Sequence, residues 1–238
     1  KEFGGYAILN DKKISIIMDV GQSPYSNFSS EYQSGSLSFE IISNGKKLIT
    51  NCGYYDGKNN QLIQLSKSTA THSTLVIDDN SSCKFEKKKE DYLLKNGLKI
   101  LKKNIVFEKN YWKISSSHDG YMKKYNVIHE RDIEYYPDQS KFCGTDKIIF
   151  KKSNSNLKFD IRFHLEPNIK LMKTQDNKAI LIELNEEGWK FTCDNHDINI
   201  DNGLYFGIKN SYTQNQNIFI SGITSSKNEN ITWQLNKI

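Results

Sequence analysis

The chain has 238 residues, 33 of them basic and 28 acidic, for a formal net charge of +5. A chain of this size buries roughly 70% of its unfolded surface, enough for one large β-domain. Only Arg131 and Arg162 are arginine and no face gathers the lysines, so no nucleic-acid partner is expected. No apolar run approaches the ~20 residues of a membrane span.

The dominant sequence period is two. Ile14, Ile16, Met18 and Val20 follow this spacing, as do Leu37, Phe39 and Ile41. Between them, residues 22–33 lack any period and read as a long exposed loop. In Thr71-His-Ser-Thr-Leu-Val-Ile-Asp78, a strand would put Leu75 and Ile77 on one face and His72, Thr74, Val76 and Asp78 on the other. Residues 84–89 carry lysines around Glu86 and read as a solvated turn or hairpin. Residues 91–103 are the one helix candidate, broken by Asn96-Gly97.

Further along, His118 closes a polar stretch before the turn Asp119-Gly120, where a strand end would hand over to a loop. The run from His129 to Asp132 is rich in ion-pairing groups and reads as structural. Residues 157–165 alternate over their full length, with Leu157, Phe159, Ile161, Phe163 and Leu165 on a core face. Lys158, Asp160, Arg162 and His164 would then face water or a groove. Shorter alternating or apolar runs follow at 180–184, 189–193, 204–208, 218–220 and 231–235, separated by Gly-containing turns. The expectation is a single all-β domain over 1–238, an antiparallel β-sandwich of stacked sheets.

The chemistry-bearing residues are few. His72 lies beside hydroxyl residues, and Arg162 with His164 could bind a carboxylate, which a guanidinium matches in a fork geometry. A structural salt bridge is the alternative for that pair. His196, in an Asp-rich loop, is expected in solvent. Cys52, Cys83, Cys143 and Cys193 show no CxxC spacing, and either two disulfides or four buried thiols fit them. Trp112, Trp189 and Trp233 sit in apolar runs, which speaks against the aromatic platform of a free-standing carbohydrate-binding module. No nucleophile elbow, phosphate loop, zinc-protease helix or dinucleotide fingerprint is present. The mild positive field favours an acidic polymer as partner.

Six motifs occur in a familiar order. They are Ser34-Gly-Ser-Leu-Ser-Phe-Glu40, Leu48-Ile-Thr-Asn-Cys-Gly53, the His72 segment, Ser117-His-Asp-Gly-Tyr121, Val127-Ile-His-Glu-Arg131 and Ile161-Arg-Phe-His-Leu-Glu-Pro167. Together, from about residue 3 to about residue 220, they resemble the C-terminal β-domain of the heparinase II/III-like polysaccharide lyases. The resemblance implies an N-terminal helical toroid in the same chain, from which this sequence, with no initiator Met, looks excised. It implies β-elimination on a uronic-acid polysaccharide lying in the cleft between the two domains. A Tyr and a His act as base and acid, and the toroid supplies the Tyr and the group that neutralises the uronate.

On the matched positions, His72 is the implied catalytic residue. Tyr121, Arg162 and His164 are the substrate-binding candidates. A structural zinc would be held by His72, His118 and Asp78, with Asp79 and Glu90 as rival acids, since two His and a carboxylate suit zinc. Family members often carry a second His shortly before the His72 position, where Ser68 and Ala70 stand here. The family implies a periplasmic or cell-envelope location. The alternative is a non-catalytic carbohydrate-binding or structural module of the envelope, derived from a lyase.

Overall fold

The structure, a computed structural model, describes residues 1–89, 91–152, 156–225 and 227–238. Apolar alternation becomes strand wherever a partner lies within hydrogen-bonding reach, because the pleat sends successive side chains to opposite faces. The first sheet is a five-stranded meander in chain order: β1 (Glu2–Phe3), β2 (Tyr6–Asn10), β3 (Ile14–Asp19), β4 (Phe39–Ser43) and β5 (Lys46–Ile49). A short helix, α1 (Asn60–Ser66), follows; its first turn is capped by the Asn59 side chain, which accepts from the N–H groups of Gln61 and Leu62.

The chain continues through β6 (Leu75–Ile77), the hairpin β7 (Lys84–Lys88) and β8 (Asp91–Asn96), then β9 (Ile100–Glu108), β10 (Tyr111–His118) and α2 (Met122–Tyr125). The remaining strands are β11 (Val127–Tyr136), β12 (Lys141–Phe150), β13 (Lys158–His164), β14 (Lys170–Lys173), β15 (Ala179–Leu184), β16 (Glu187–Cys193), β17 (Ile198–Tyr205), β18 (Thr213–Ile223) and β19 (Glu229–Lys237). An eight-stranded sheet runs β14-β15-β16-β19-β12-β11-β10-β9, and a four-stranded sheet runs β17-β18-β13-β6. The expected antiparallel all-β architecture of stacked sheets is what forms. The helix candidate at 91–103 is instead β8 and the start of β9, with Asn96-Gly97 at the break between them.

The three large sheets share one hydrophobic core. Their meeting point is aromatic: Phe39 of β4 stacks on Trp233 of β19 at 5.5 Å, and Phe163 of β13 meets the Trp233 ring edge-on at 4.9 Å. Such pairs add roughly 0.5–1.5 kcal/mol each beyond the area they bury. Gly144 makes room for this cluster. It pairs in register with Trp233, and a Cβ there would lie 2.0 Å from the indole. All three tryptophans are core residues, and all four cysteines are free thiols.

On β11, alternation separates two sets of charges. Glu130, Asp132 and Glu134 ladder outward with Lys102, Lys113 and Lys147. His129 and Arg131 point inward and are fully buried.

Candidate functional site

The inward charges on β11 form a network that reaches the candidate site. Register puts His129 opposite His118 of β10, and Arg131 opposite Asp146 of β12. A one-residue slip would turn every one of these groups outward. Gly120 N–H donates to His118 Nδ1 at 3.0 Å, so His118 carries its proton on Nε2, which faces His129 Nδ1 at 3.4 Å. His129 Nε2 then donates to Asp146 Oδ1 at 2.7 Å, and Arg131 Nε donates to the same oxygen at 2.7 Å. Trp233 Nε1 donates to Asp146 Oδ2 at 3.1 Å. Burial by itself would raise the Asp146 carboxyl, but the guanidinium of Arg131 and the His129 ring hold it down at about 2. Burial lowers both histidines, His118 strongly, so each is a neutral ring.

The far end of Arg131 does positional work. Its Nη1 donates to the carbonyls of Leu37 at 2.8 Å and Ser73 at 2.6 Å. Those residues sit next to the two segments that build the His72 contact. A Cβ on Gly35 would lie 2.6 Å from His72 Cδ2, so the imidazole packs directly on the glycine backbone.

His72 does not lie on a strand. It caps a 3-10 turn, Thr69–Thr71, and Thr74 N–H bonds back to the His72 carbonyl at 2.8 Å, so β6 begins only at Leu75. The expected shared strand face with Asp78 therefore does not form; Asp78 sits past the end of β6 in a left-handed turn with φ 47°. The His72 ring donates from Nδ1 to the Ser68 carbonyl at 2.8 Å. This leaves Nε2 as the acceptor edge, without a hydrogen-bond partner among the described residues. Burial lowers its pKa to about 4, against a smaller opposing effect of the Ser68 carbonyl. At neutral pH it is an uncharged ring able to accept a proton, not a cation able to neutralise a carboxylate.

His72 lines a groove of about 680 Å³ between the first sheet, the 31–40 segment, the 51–54 segment and the end of β17. Tyr6, Tyr54 and Tyr205 line it too, with Asp19, Glu31, Glu40 and Lys47. Lys47 pairs with Glu40 at 3.1 Å. Asp19 is pushed up to about 6 by burial, only partly offset by the N–H of Gly21. A carboxyl that titrates near neutrality in a groove is a candidate acid or base. Nothing along the sequence marks this role; the 31–40 segment comes against Asp19 through its backbone bonds with Leu37 and Ser38.

The other sequence candidates fall elsewhere. Arg162 is half-buried, paired with Asp160 at 3.6 Å and Asp201 at 3.5 Å, and bonded to Asn217 at 3.1 Å; the salt-bridge alternative describes it. His164 does not face water. The chain at Thr50 bridges across it, Cys52 Sγ lies 3.2 Å from its Nδ1, and its Nε2 donates to the Ala70 carbonyl at 3.0 Å. The Tyr121 hydroxyl is spent on the Leu75 carbonyl at 2.7 Å, and the residue is 1% exposed. His196, expected in solvent, is half-buried against Phe159 at 5.4 Å.

The implied zinc finds no ready cage. Both His118 nitrogens are engaged, and Asp78 Oδ1 accepts from Lys158 N–H at 2.9 Å. Glu90 lies outside the described residues. Among the described residues no three His, Cys, Asp or Glu side chains converge to hold a metal ion. Among the described residues, His72, His118 and Asp78 are not brought together to share a zinc.

Comparison with known proteins places this architecture. The FtsZ-localized protein C of Caulobacter vibrioides is 24% identical over 248 residues, which span 98% of this chain and 42% of that protein. A mutant of the heparan sulfate lyase HepC from Pedobacter heparinus superposes with a TM-score of 0.78 at 12% identity, over 98% of this chain and 35% of that one. A heparinase III gene product superposes with a TM-score of 0.79 at 13% identity, over 100% of this chain and 36% of that one. This chain thus spans less than half the length of these relatives. The family model described as heparinase II/III-like, C-terminal, matches residues 2–234, and the chain belongs to that family.

Proposed function

We propose that this chain forms the β-domain wall of a polysaccharide lyase that cleaves a uronic-acid-containing polymer by β-elimination. One observation carries the reading: His72 lines the groove as a neutral ring, its Nδ1 tied to Ser68 and its Nε2 without a hydrogen-bond partner among the described residues. Such a ring can take the C5 proton of a uronate on Nε2 and, once protonated, return that proton to the leaving C4 oxygen. The Tyr and the group that neutralises the uronate carboxylate come from an N-terminal toroid of the same protein. Asp19, titrating near neutrality in the same groove, is a second proton carrier. The setting is periplasmic or cell-envelope.

The test is the full-length protein on a panel of uronic-acid polysaccharides, followed by ultraviolet absorbance of the unsaturated product. Turnover that vanishes in His72→Gln, at near-unchanged thermal midpoint, supports the reading. Turnover that survives in His72→Gln removes His72 from the chemistry.

A second reading has its own support. The His72 groove presents three carboxylates against Lys47, a poor match for a polyanion. One relative is named for localisation with FtsZ rather than for a lyase activity. A non-catalytic envelope module fits both facts, and silence of the full-length protein across the whole panel favours it.

A further inference from the structure

A second groove, about 1120 Å³, shares no lining residue with the His72 groove. It lies between the β7–β8 hairpin, the 79–83 segment and α2. The two grooves touch through Ser68, which lines this one and holds His72 of the other by its carbonyl.

The charge of this groove is reversed. Lys84, Lys87, Lys123 and Lys124 line it and are exposed. Among the described residues none of the four forms an ion pair with a carboxylate, and the contacts of Lys87, Lys123 and Lys124 are to neutral groups. Lys124 Nζ donates to Asn80 Oδ1 at 2.8 Å and lies 4.9 Å from the centre of the Tyr125 ring. Lys87 Nζ lies 5.9 Å from the Tyr92 ring centre, and Lys123 Nζ donates to Asn96 Oδ1 at 3.4 Å. The opposing acids are Asp79 and Asp119, and Asp119 already accepts from the Lys99 N–H at 2.7 Å.

We propose that this lysine groove binds an acidic polysaccharide chain, separately from the His72 groove. Four ammonium groups supply point charges for carboxylates or sulfates. Neutral amides and serine hydroxyls between them suit sugar hydroxyls, and the partly exposed Tyr92 ring adds a face of the kind pyranose rings rest on. A duplex nucleic acid is the weaker match: neither arginine lines the groove, and arginine forks are favoured for phosphate. The acidic-polymer class rests on the functional reading above; the location of the site does not.

The experiment uses the full-length protein with fluorescent polygalacturonate and heparan sulfate oligosaccharides, a neutral dextran oligosaccharide and a duplex DNA of matched length. Expected is binding of at least one acidic glycan that weakens with added salt, and none of dextran. The triple variant Lys84→Glu, Lys87→Glu, Lys123→Glu should lose about tenfold or more in affinity, since charge reversal turns attraction into repulsion. A control triple at exposed Lys12, Lys109 and Lys190, of equal net charge, should stay within about twofold. Both triples are also measured in the His72→Gln background, where turnover does not consume the probe; the difference between them should persist there, which keeps this result separate from the fate of the lyase reading. The proposal is overturned if neither acidic glycan binds at low salt, if both triples lose affinity equally, if the groove triple binds like wild type, or if DNA binds as tightly as the glycan. Matching thermal midpoints for the two triples establish that the loss is not unfolding.

Discussion

Arg131 reaches across the core to hold the carbonyl of Ser73, at 2.6 Å, and so fixes the backbone immediately after His72. The same guanidinium is neutralised by Asp146, which His129 and Trp233 also bind. A residue of the eight-stranded sheet therefore sets the position of the candidate imidazole in the loop before β6.

Arg131→Met should lower stability by about 3–5 kcal/mol, because it leaves the Asp146 carboxylate buried without its cation. Removing both charges, in Arg131→Met with Asp146→Leu, should cost less than the single change. Urea unfolding of the three proteins measures this, and a double variant weaker than the single one would refute the coupling.

Stability should fall as the solution is acidified below about pH 6.5. His72, His118, His129 and His164 are each held below the ordinary value of 6.5, burial being the first cause in every case. Unfolding releases rings that take up protons the folded state refuses, so the folded state loses ground as pH drops. The loss is roughly 1.4 kcal/mol per pH unit for each ring well below 6.5, continuing until its folded pKa is reached. That limit is about 4 for His72 and about 3 for His164. Asp146, depressed to about 2, adds a loss of the same sign below the ordinary Asp value of 3.8. Denaturant midpoints at pH 7.5, 6.5 and 5.5 that do not move would contradict this.

Gly35→Ala should displace the His72 ring. The added methyl meets Cδ2 at 2.6 Å, closer than real Cβ contacts come. A cost of about 1–3 kcal/mol is expected for such overpacking. A shift in the His72 ring resonances, with the His129 resonances unmoved, would locate the effect.

Gly144→Ala should be more damaging, because the indole of Trp233 sits 2.0 Å from the new carbon and is wedged against Phe39 and Phe163. A near-ultraviolet circular dichroism signal that weakens together with the thermal midpoint is the expected outcome. An unchanged spectrum would mean that the cluster can re-form around the methyl.

Thiol reagents should separate the cysteines. Cys52 and Cys83 are buried, and burial raises both thiols, Cys52 to about 12. Cys143 and Cys193 are only partly covered and should react first in the native protein, the other two only on unfolding. Mass spectrometry of native and denatured samples reads this directly.

The strands, the antiparallel sheets, the core tryptophans and the inward face of residues 157–165 were legible in the sequence. Alternation with period two is a local property, written in neighbours along the chain. The order of six motifs identified the family. What the sequence could not show was which groups meet. Leu157 to Leu165 announced one apolar face, but whether His164 on the other face met water depended on Thr50 bridging over it from 114 residues away. His72 and Asp78 looked like partners on one strand until the 3-10 turn and the left-handed turn parted them. Asp19, the Arg131 clamp on Ser73 and the opposed charges of the two grooves depend on strand order and register across separate sheets. Those are non-local pairings, and only the folded chain brings their partners together.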